Sequence, residues 1–393
     1  MKLKYHFLSG LILACGLGLS SCNDSFLERN PKDQLSDVSF WKTADDANKY
    51  ATGIYLYLIE PENHTIMTDC YTDNAIPVHV GAEQGVLSAG TAVSSNPHFL
   101  QLWQAAYETI RRCQIFYEHI GEVSMNEKAK AQLTAEVQFL EAFAYHNLWK
   151  YMGGVPILDH PLQLNEPLPA RSSAEETYEY VVKLLDKAAP NLPEIRTAAD
   201  HGKASAGACY ALKARMAFYN HKYDVAEAAA EQVMQTGKFG LYPNYGDLFQ
   251  PVAETCNEIL FDREYVENPK NGSEGSVIGL FFSPCDFGGW EALSPTQDMV
   301  DAYPCTDGKS IAESPLYNPA KPFENRDPRL AYSIFWPGTT CGPMTFNNKY
   351  MGDGSHTRTG YSMRKYINPD NYGIQNYDWT NFIYIRYAEV LLT

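Results

Sequence analysis

The sequence predicts an all-α protein in which a helical scaffold carries a long loop-rich region. Over residues 38–240, apolar residues recur in steps of three and four, which is the period of an amphipathic helix. Over residues 241–380, proline, glycine, asparagine and aspartate crowd together with aromatic residues, and no regular period lasts. Because long ordered loops on a rigid scaffold commonly carry function, we expect the second region to bind the ligand.

Three long helices are predicted in the first half of the chain. Thr43 is a suitable N-cap for a helix over residues 45–59, and the next helix spans about residues 98–120. A third helix is expected over residues 127–151, where Gly153-Gly154 ends it in a tight turn.

The following segment predicts a shorter helix and then a helical hairpin. Ser173 and Glu176 form a capping box for a helix that runs to residue 189. Alanine-rich helices are expected over residues 204–219 and 224–235. Since alanine lets two helices approach closely, this hairpin resembles a tetratricopeptide unit, and we expect a tetratricopeptide-like scaffold.

Regular structure is predicted to be sparse after residue 240. The apolar runs 258–261 and 277–282 are typical of short strands, and helical periodicity returns only at residues 383–392. Residues 381–393 therefore read as the start of a further helix. The sequence ends within its apolar stripe, so we expect a truncated form of a longer protein.

The N-terminal residues have the features of a lipoprotein signal. Two lysines precede an apolar stretch that is too short and too rich in glycine for a membrane span, and Leu19-Ser20-Ser21-Cys22 resembles a bacterial lipobox. We predict a signal peptide over residues 1–21, a lipid on Cys22, a tether over residues 22–37 and one domain over residues 38–393. The alternative is an ordinary signal peptide with an incidental cysteine.

Charge and cysteine content exclude several classes of protein. A net charge of -16 does not suit a nucleic-acid or anionic-membrane surface, since both require basic patches. Seven of the nine cysteines lie beyond Cys22, an odd number without any C-x-x-C, so no zinc site is expected. Cys113 and Cys209 fit helical core positions, and a disulfide between Cys285 and Cys305 is one open possibility.

The sequence contains no recognisable catalytic motif. It has no G-x-S-x-G, no H-E-x-x-H, no phosphate loop and no dinucleotide signature, so we predict neither a cofactor nor an enzyme. Carboxylates are plentiful, which leaves a glycosidase pair open. His64, His79 and His98 lie in or beside one loop and could gather, but their spacing fits no metal motif.

Several segments together resemble the SusD/RagB family. Phe26-Leu27-Glu28 comes first, and residues 135–145 run into Tyr151-Met152-Gly153-Gly154-Val155-Pro156. Asn325-Arg326-Asp327-Pro328-Arg329-Leu330 and Arg386-Tyr387-Ala388-Glu389-Val390-Leu391-Leu392 follow in the family's order. Family members continue well past the last of these segments with further helices, which agrees with a truncated chain.

The resemblance implies a tetratricopeptide-like fold with long loops that form a ligand-binding face. It also implies a non-catalytic lipoprotein of the outer membrane, facing the extracellular side, that binds nutrients, most often oligosaccharides. Such proteins deliver their ligand to a SusC-like TonB-dependent transporter. Alternatives remain open at this point: a peptide- or glycopeptide-binding protein of the RagB kind, a lipid-anchored glycoside hydrolase, or a tetratricopeptide adaptor.

Sugar binding requires flat aromatic rings that cover the C–H faces of the sugar and planar polar groups that reach its hydroxyls. The resemblance places these groups on the loop after the first helix and on the later loops. The candidate ligand-binding residues are Tyr71, Asp73 and Asn74 in the first loop, with Asp69 beside them, and Phe287, Trp290 and Trp336 in the later loops, with Asp286 and Gln297 as polar neighbours.

Trp290 is the leading candidate, because it follows two glycines in a stretch without helical or strand period. A buried loop anchor is the equal alternative for this residue. Other prominent residues are predicted to be structural: Trp41, Trp103 and Trp149 in the helical core, Glu136 and Glu141 in ion pairs or hydrogen bonds between helices, and Arg326, Asp327 and Arg329 in a pinned loop.

Overall fold

The computed structural model describes residues 40–60, 64–79, 83–267, 275–347, 357–371 and 378–393. The predicted signal peptide, Cys22 and the tether lie outside these residues. In chain order, the described helices are α1 (Ala44–Ile54), α2 (Glu83–Ser88), α3 (Pro97–Ile120), α4 (Glu127–Met152), α5 (Ala174–Ala188), α6 (Ala206–Tyr219), α7 (Tyr223–Gln235), α8 (Ile278–Phe282), α9 (Gln297–Ala302), α10 (Pro328–Ser333) and α11 (Tyr387–Leu392).

The helix starts in the first half follow from local capping. Thr43 and Ser173 each form the predicted capping box, with Asp46 and Glu176 respectively. The first helix is shorter than predicted, because α1 ends at Ile54 and gives way to a 3-10 turn over Tyr55–Tyr57. There the Tyr57 carbonyl accepts a bond from the Thr109 hydroxyl (2.8 Å), so a tertiary contact replaces a helical one.

Helices α3 to α7 pack in sequence order, each against the next. They enclose one core whose large members include Phe116, Phe139 and Tyr145. In the α6–α7 hairpin the facing alanines are buried, which allows the close approach that the sequence predicted. The predicted fold class, an all-α scaffold with a loop-rich region, is confirmed.

Short antiparallel strand pairs brace the loop-rich region. The described strands are β1 (Ala75–Pro77), β2 (Ile259–Arg263), β3 (Leu293–Pro295), β4 (Ile334–Phe335), β5 (Thr340–Cys341), β6 (Met344–Thr345), β7 (Ser362–Met363) and β8 (Phe382–Arg386). They pair as β1 with β3, β2 with β8, β4 with β7 and β5 with β6.

The β2–β8 pair connects the two parts of the molecule. Phe261 of β2 lies in the helical core, where its ring centre is 4.8 Å from that of Phe139 and 5.3 Å from that of Phe143. Ile259 and Ile383 belong instead to the core of the loop-rich region. One small sheet therefore fixes the loops to the scaffold.

Two predicted elements are corrected by the structure. Residues 277–282 were expected as a strand, but residues 278–282 form α8; five apolar residues in a row do not distinguish a strand from a buried helix. Residues 383–392 were expected as one helix, yet the segment begins within β8 and becomes helical only at Tyr387. The pairing of β8 with β2, more than a hundred residues away, overrides the local helical pattern.

Buried carboxylates on α4 have the predicted structural roles. Glu136 pairs with Arg196 at 2.7 Å. Glu141 accepts hydrogen bonds from Gln114 (2.8 Å), Tyr117 (2.9 Å) and Tyr180 (2.7 Å). Burial raises the pKa of Glu141 to about 7, and these three donors partly oppose that rise.

The structure corrects one of the predictions made for the cysteines. Cys113 and Cys209 are buried in the helical core, as predicted. Cys285 and Cys305 are not joined by a disulfide, so the bond suggested between them is not formed. The backbones of Cys305 and Arg326 pair in an isolated β-bridge, which holds the segment between them in place without a covalent link.

Candidate functional site

Strand pairing brings the first loop against the later loops. β1 pairs with β3, and just beyond it the Thr296 amide donates to the Asn74 carbonyl at 2.9 Å. The Thr296 hydroxyl also lies 2.5 Å from the Asp73 carbonyl, and it caps α9 by accepting from the Met299 amide (3.1 Å). Asp73 and Asn74, which were both predicted as site residues, therefore lie beside Gln297 at the start of α9.

Three half-buried aromatic residues form what we call the aromatic platform: Phe323, Trp336 and Tyr361. Phe323 and Trp336 are stacked, with ring centres 4.3 Å apart and planes 10° from parallel. Tyr361 meets the Phe323 ring edge-on at 6.3 Å. Trp336 directly follows β4 and Tyr361 directly precedes β7, so the β4–β7 pairing brings these two residues together.

Planar polar groups continue from the platform. The Tyr361 hydroxyl donates to Gln297 Oε1 at 2.8 Å, and Gln297 Nε2 donates to Asp301 Oδ1 at 2.8 Å. Burial raises the pKa of Tyr361, so its hydroxyl keeps its proton at neutral pH. Aromatic faces beside a fixed series of hydroxyl, amide and carboxylate groups are the arrangement that sugar recognition needs.

Hydrogen bonds from Arg326 hold in place the segment that carries Phe323 of the platform. The buried Arg326 guanidinium donates to the carbonyls of Val300 (2.5 Å), Tyr303 (2.7 Å) and Pro322 (3.0 Å). Pro322 directly precedes Phe323, so this anchor fixes the platform ring. The structural role that the sequence predicted for this residue is confirmed.

The neighbouring acid–base pair is structural as well. Asp327 caps α10 and pairs with Arg329 at 2.6 Å. The Arg329 guanidinium and amide both lower the pKa of Asp327, which keeps this carboxylate ionised. The predicted role of this pair in pinning the loop is confirmed.

A cavity of about 410 Å³ adjoins the platform. Asp69 and Asn74 from the first loop line it, together with Tyr303 next to α9. Its two cations are already engaged: Arg386 pairs with Glu258 at 2.7 Å, and Lys365 Nζ lies 4.2 Å from the Phe249 ring centre. The cavity walls can therefore hydrogen-bond a neutral, hydroxylated group.

Trp290 is exposed but lies apart from the platform. The residue is 49% exposed, and its ring contacts that of Phe281, with ring centres 4.8 Å apart. The alternative of a buried loop anchor is therefore wrong. Phe281 packs against the core of the loop-rich region, whereas the three platform rings pack against a separate cluster of Val300, Leu330 and Ile334.

Phe287 was predicted to stack on the ligand, and the structure corrects this prediction. It is only 3% exposed and meets Phe335 edge-on at 5.4 Å in the core of the loop-rich region. A tight turn causes this burial, because Gly288 adopts φ 89° after the 3-10 turn over Cys285–Phe287. Its neighbour Asp286 accepts a hydrogen bond from the Asn347 amide (2.8 Å).

Tyr71 faces the helical scaffold. Its hydroxyl lies 3.1 Å from His98 Nε2, and the His98 ring centre is 4.7 Å from that of His64. Burial, with His98 adding to it, lowers the pKa of His64 to about 4, and burial also lowers the pKa of His98. Both rings are therefore neutral at pH 7. Across the residues that the structure describes, no three His, Cys, Asp or Glu side chains gather as metal ligands.

Sequence reasoning missed some aromatic positions. Phe323 and Tyr361 stand in segments without a regular period, and only the stacking with Trp336 singles them out. Trp103 was expected in the core, but the residue is 37% exposed, so that prediction is wrong. Trp41 is buried, as expected.

Comparison with known proteins covers both parts of the chain. The family described as "SusD family" matches residues 257–393, and a second, described as "Starch-binding associating with outer membrane", matches residues 25–218. Together the two matches take in the scaffold and the loop-rich region. The chain belongs to the SusD/RagB family.

Curated relatives agree with this membership. SusD-like protein P38 of Formosa agariphila is 25% identical over all of this chain and 77% of its own length. SusD-like protein P25 of the same organism is 23% identical over 68% of this chain. The chain spans about half of P25, since 53% of that protein is covered.

Solved structures share the fold. A SusD-like carbohydrate binding protein from Bacteroides fragilis superposes with a TM-score of 0.82 at 25% identity, over 90% of this chain and 73% of its own. Surface glycan-binding protein A from Bacteroides thetaiotaomicron, solved in complex with laminarihexaose, has a TM-score of 0.70 at 20% identity, over 89% of this chain and 77% of its own. In the described part of this SusD-family protein, no helix is long and apolar enough to cross a bilayer.

Proposed function

We propose that this SusD-family protein captures an extracellular glycan on the aromatic platform. The observation that carries the proposal is the stacked Phe323–Trp336 pair beside the Tyr361–Gln297–Asp301 hydrogen-bond series. The rings cover sugar C–H faces, and the polar groups bind sugar hydroxyls. Asp73 and Asn74 extend the polar side of this site, while Trp290 offers a separate, outlying contact. The laminarihexaose complex of a structural relative supports a glycan as the ligand class.

Delivery and attachment complete the proposal. A lipid on Cys22 anchors the protein to the outer membrane, facing outward, and the bound glycan passes to a SusC-like TonB-dependent transporter. The lipobox-like sequence and the family description that mentions the outer membrane support this assignment. No bond is made or broken; the protein concentrates the glycan and hands it over.

Affinity electrophoresis through gels that contain single polysaccharides tests glycan capture. We expect at least one neutral polysaccharide to retard the purified protein. Trp336→Ala is expected to raise the Kd by at least about tenfold, since it removes a stacking face. Tyr361→Phe keeps the ring and removes only the hydroxyl. We therefore expect its increase in Kd to be several-fold smaller than that of Trp336→Ala. Trp290→Ala is expected to fall between these variants and the wild type.

The matched control is Tyr223→Ala, which removes an exposed ring far from the platform in sequence and outside its contacts. Its mobility should equal that of the wild type. Equal retardation of wild type and Trp336→Ala would move the site away from the platform. If no polysaccharide retards the folded protein, the peptide-binding alternative of the RagB kind gains support.

A further inference from the structure

The helical scaffold carries a groove of about 900 Å³ that shares no lining residue with the platform. It lies where the turn after α1 meets the first half of α3. Its aromatic residues are Tyr57, Trp103 and Tyr107, and we call this surface the scaffold groove. Of these, Tyr57 and Trp103 are 36% and 37% exposed, so both rings are accessible from solvent.

Two of the three rings form a contiguous pair on α3. The ring centres of Trp103 and Tyr107 are 4.7 Å apart, and their planes are tilted by 39°. The Tyr107 hydroxyl donates to the Pro156 carbonyl at 2.7 Å, so its ring is anchored from the far end. A ring that is held in place before binding loses little conformational freedom when it stacks on a ligand.

The third ring is held by an ion pair. The Arg112 guanidinium lies 3.7 Å from the Tyr57 ring centre and donates to the Tyr57 hydroxyl at 2.7 Å. Glu108 fixes this guanidinium through a 2.8 Å salt bridge. The Tyr57 ring is therefore preorganised, like the pair on α3.

Polar groups line the groove, and its two carboxylates, Glu60 and Glu108, equal its two guanidinium groups in number. Gln101 and Gln104 are exposed, line the groove and lie one turn apart on α3, so their amides are on the same side of the helix. Arg111 donates to the Leu162 carbonyl (3.2 Å) and Arg263 to the Leu58 carbonyl (2.9 Å). Since the acidic and basic side chains of the lining balance in formal charge, the groove suits a neutral, hydroxyl-rich ligand.

We propose that the scaffold groove is a second glycan-binding site that takes neutral sugar residues by stacking on Trp103 and Tyr57. The inference rests on the proposed function for its ligand class, but on separate residues for its geometry. Two sites on one chain bind a long polysaccharide more tightly than either alone, because the second contact forms at a high effective concentration. An oligosaccharide that is too short to reach both sites gains no affinity from this arrangement.

Fluorine NMR of 5-fluorotryptophan-labelled protein tests the groove directly. The probes are laminarihexaose, maltohexaose, cellohexaose and mannohexaose, with hexagalacturonate as the anionic comparison. Trp103→Phe assigns the Trp103 signal. In Trp336→Ala protein, where the platform is disabled, we expect at least one neutral hexasaccharide to shift the Trp103 signal and hexagalacturonate to leave it unchanged. Tyr57→Ala is expected to weaken this shift.

The outcomes separate the two proposals. If the Trp336 signal of wild-type protein shifts while the Trp103 signal stays fixed with all probes, the second site is overturned and the platform stands. If neither signal shifts, both are overturned. A Trp103 shift that requires an intact Trp336 also overturns an independent second site, because the groove would then respond only through the platform.

Chain-length dependence gives a second measurement. Trp103→Ala is expected to weaken binding to a long polysaccharide by on the order of tenfold and to leave binding of a trisaccharide unchanged. Tyr223→Ala is the control, and Trp103→Phe should restore part of the loss. Equal affinity of wild type and Trp103→Ala for the long polysaccharide overturns the proposal.

Discussion

Asp262→Asn is expected to raise the free energy of unfolding at pH 8 by about 2–4 kcal/mol. Asp262 on β2 is 1% exposed, and neither of its carboxylate oxygens has a hydrogen-bond partner among the described residues. Burial raises its pKa to about 7; His201, with Nδ1 at 3.5 Å, opposes the rise, and Glu264 and Glu254 add to it. A neutral amide removes the cost of an ionised group in this position.

The pH dependence follows from the same shift. Below the ordinary pKa of 3.8, the folded and the unfolded chain both hold the proton. Between that value and about 7, only the unfolded chain releases it, so the wild type loses stability as pH rises. Glu254 and Glu141, whose pKa values burial also raises to about 7, act in the same direction.

Urea unfolding of the purified protein between pH 4 and pH 8 measures this effect. The midpoint of Asp262→Asn should exceed that of the wild type by a margin that grows from pH 4 to pH 8, because the other titrating groups, among them the buried His64 and His98, are common to both proteins. At pH 4 the two proteins should coincide. Glu118→Gln, which changes an exposed carboxylate in the last turn of α3, is the control and should follow the wild type. Coincident midpoints at pH 8 would show that ionised Asp262 carries no cost in the fold.

Gly154→Ala is expected to destabilise the protein by about 3 kcal/mol or more. A methyl group at this position would lie 2.0 Å from the Ser172 carbonyl oxygen and 2.5 Å from the Ser173 carbonyl carbon. Both obstacles are backbone atoms at the entry to α5, so no side-chain rotation relieves the overlap. The Arg171 guanidinium also holds the Gly154 carbonyl at 2.5 Å, which prevents the turn from moving aside.

Gly53→Ala is the matched control, because a methyl group there meets no atom within 4 Å. Gly53 lies in α1, where alanine is favoured over glycine by about 0.5–1 kcal/mol. The two substitutions should therefore change the urea midpoint in opposite directions. A Gly154→Ala variant as stable as the wild type would show that the approach of α4 and α5 can relax.

The predictions from sequence succeeded where the signal is local. The starts of α1 and α5 follow from capping boxes within four residues, and the period of α3 and α4 repeats over many turns. They failed at β8 and α8, where short apolar segments permit either conformation. There the choice depends on pairing with β2 or on packing against a distant core, neither of which a local window contains.

The residues of the candidate site also divide into those that the sequence could nominate and those that it could not. Residue type and loop position were sufficient to nominate Trp336, Asp73 and Asn74, which the structure places on adjoining segments. They were not sufficient for Phe287, because a single turn at Gly288 decides whether that ring points into the core. Nor could they gather the platform rings, since Arg326 fixes the segment of Phe323 and the β4–β7 pairing brings Trp336 to Tyr361.

The sequence by itself determined the helical scaffold, its caps, the loop-rich half and the family resemblance, because period, capping and ordered motifs are properties of neighbouring residues. Only the tertiary structure decided which aromatic rings are exposed and which of them stack. Exposure depends on what distant segments bury, and stacking depends on contacts between residues far apart in the chain, as between Tyr57 and Arg112 or Gln297 and Tyr361.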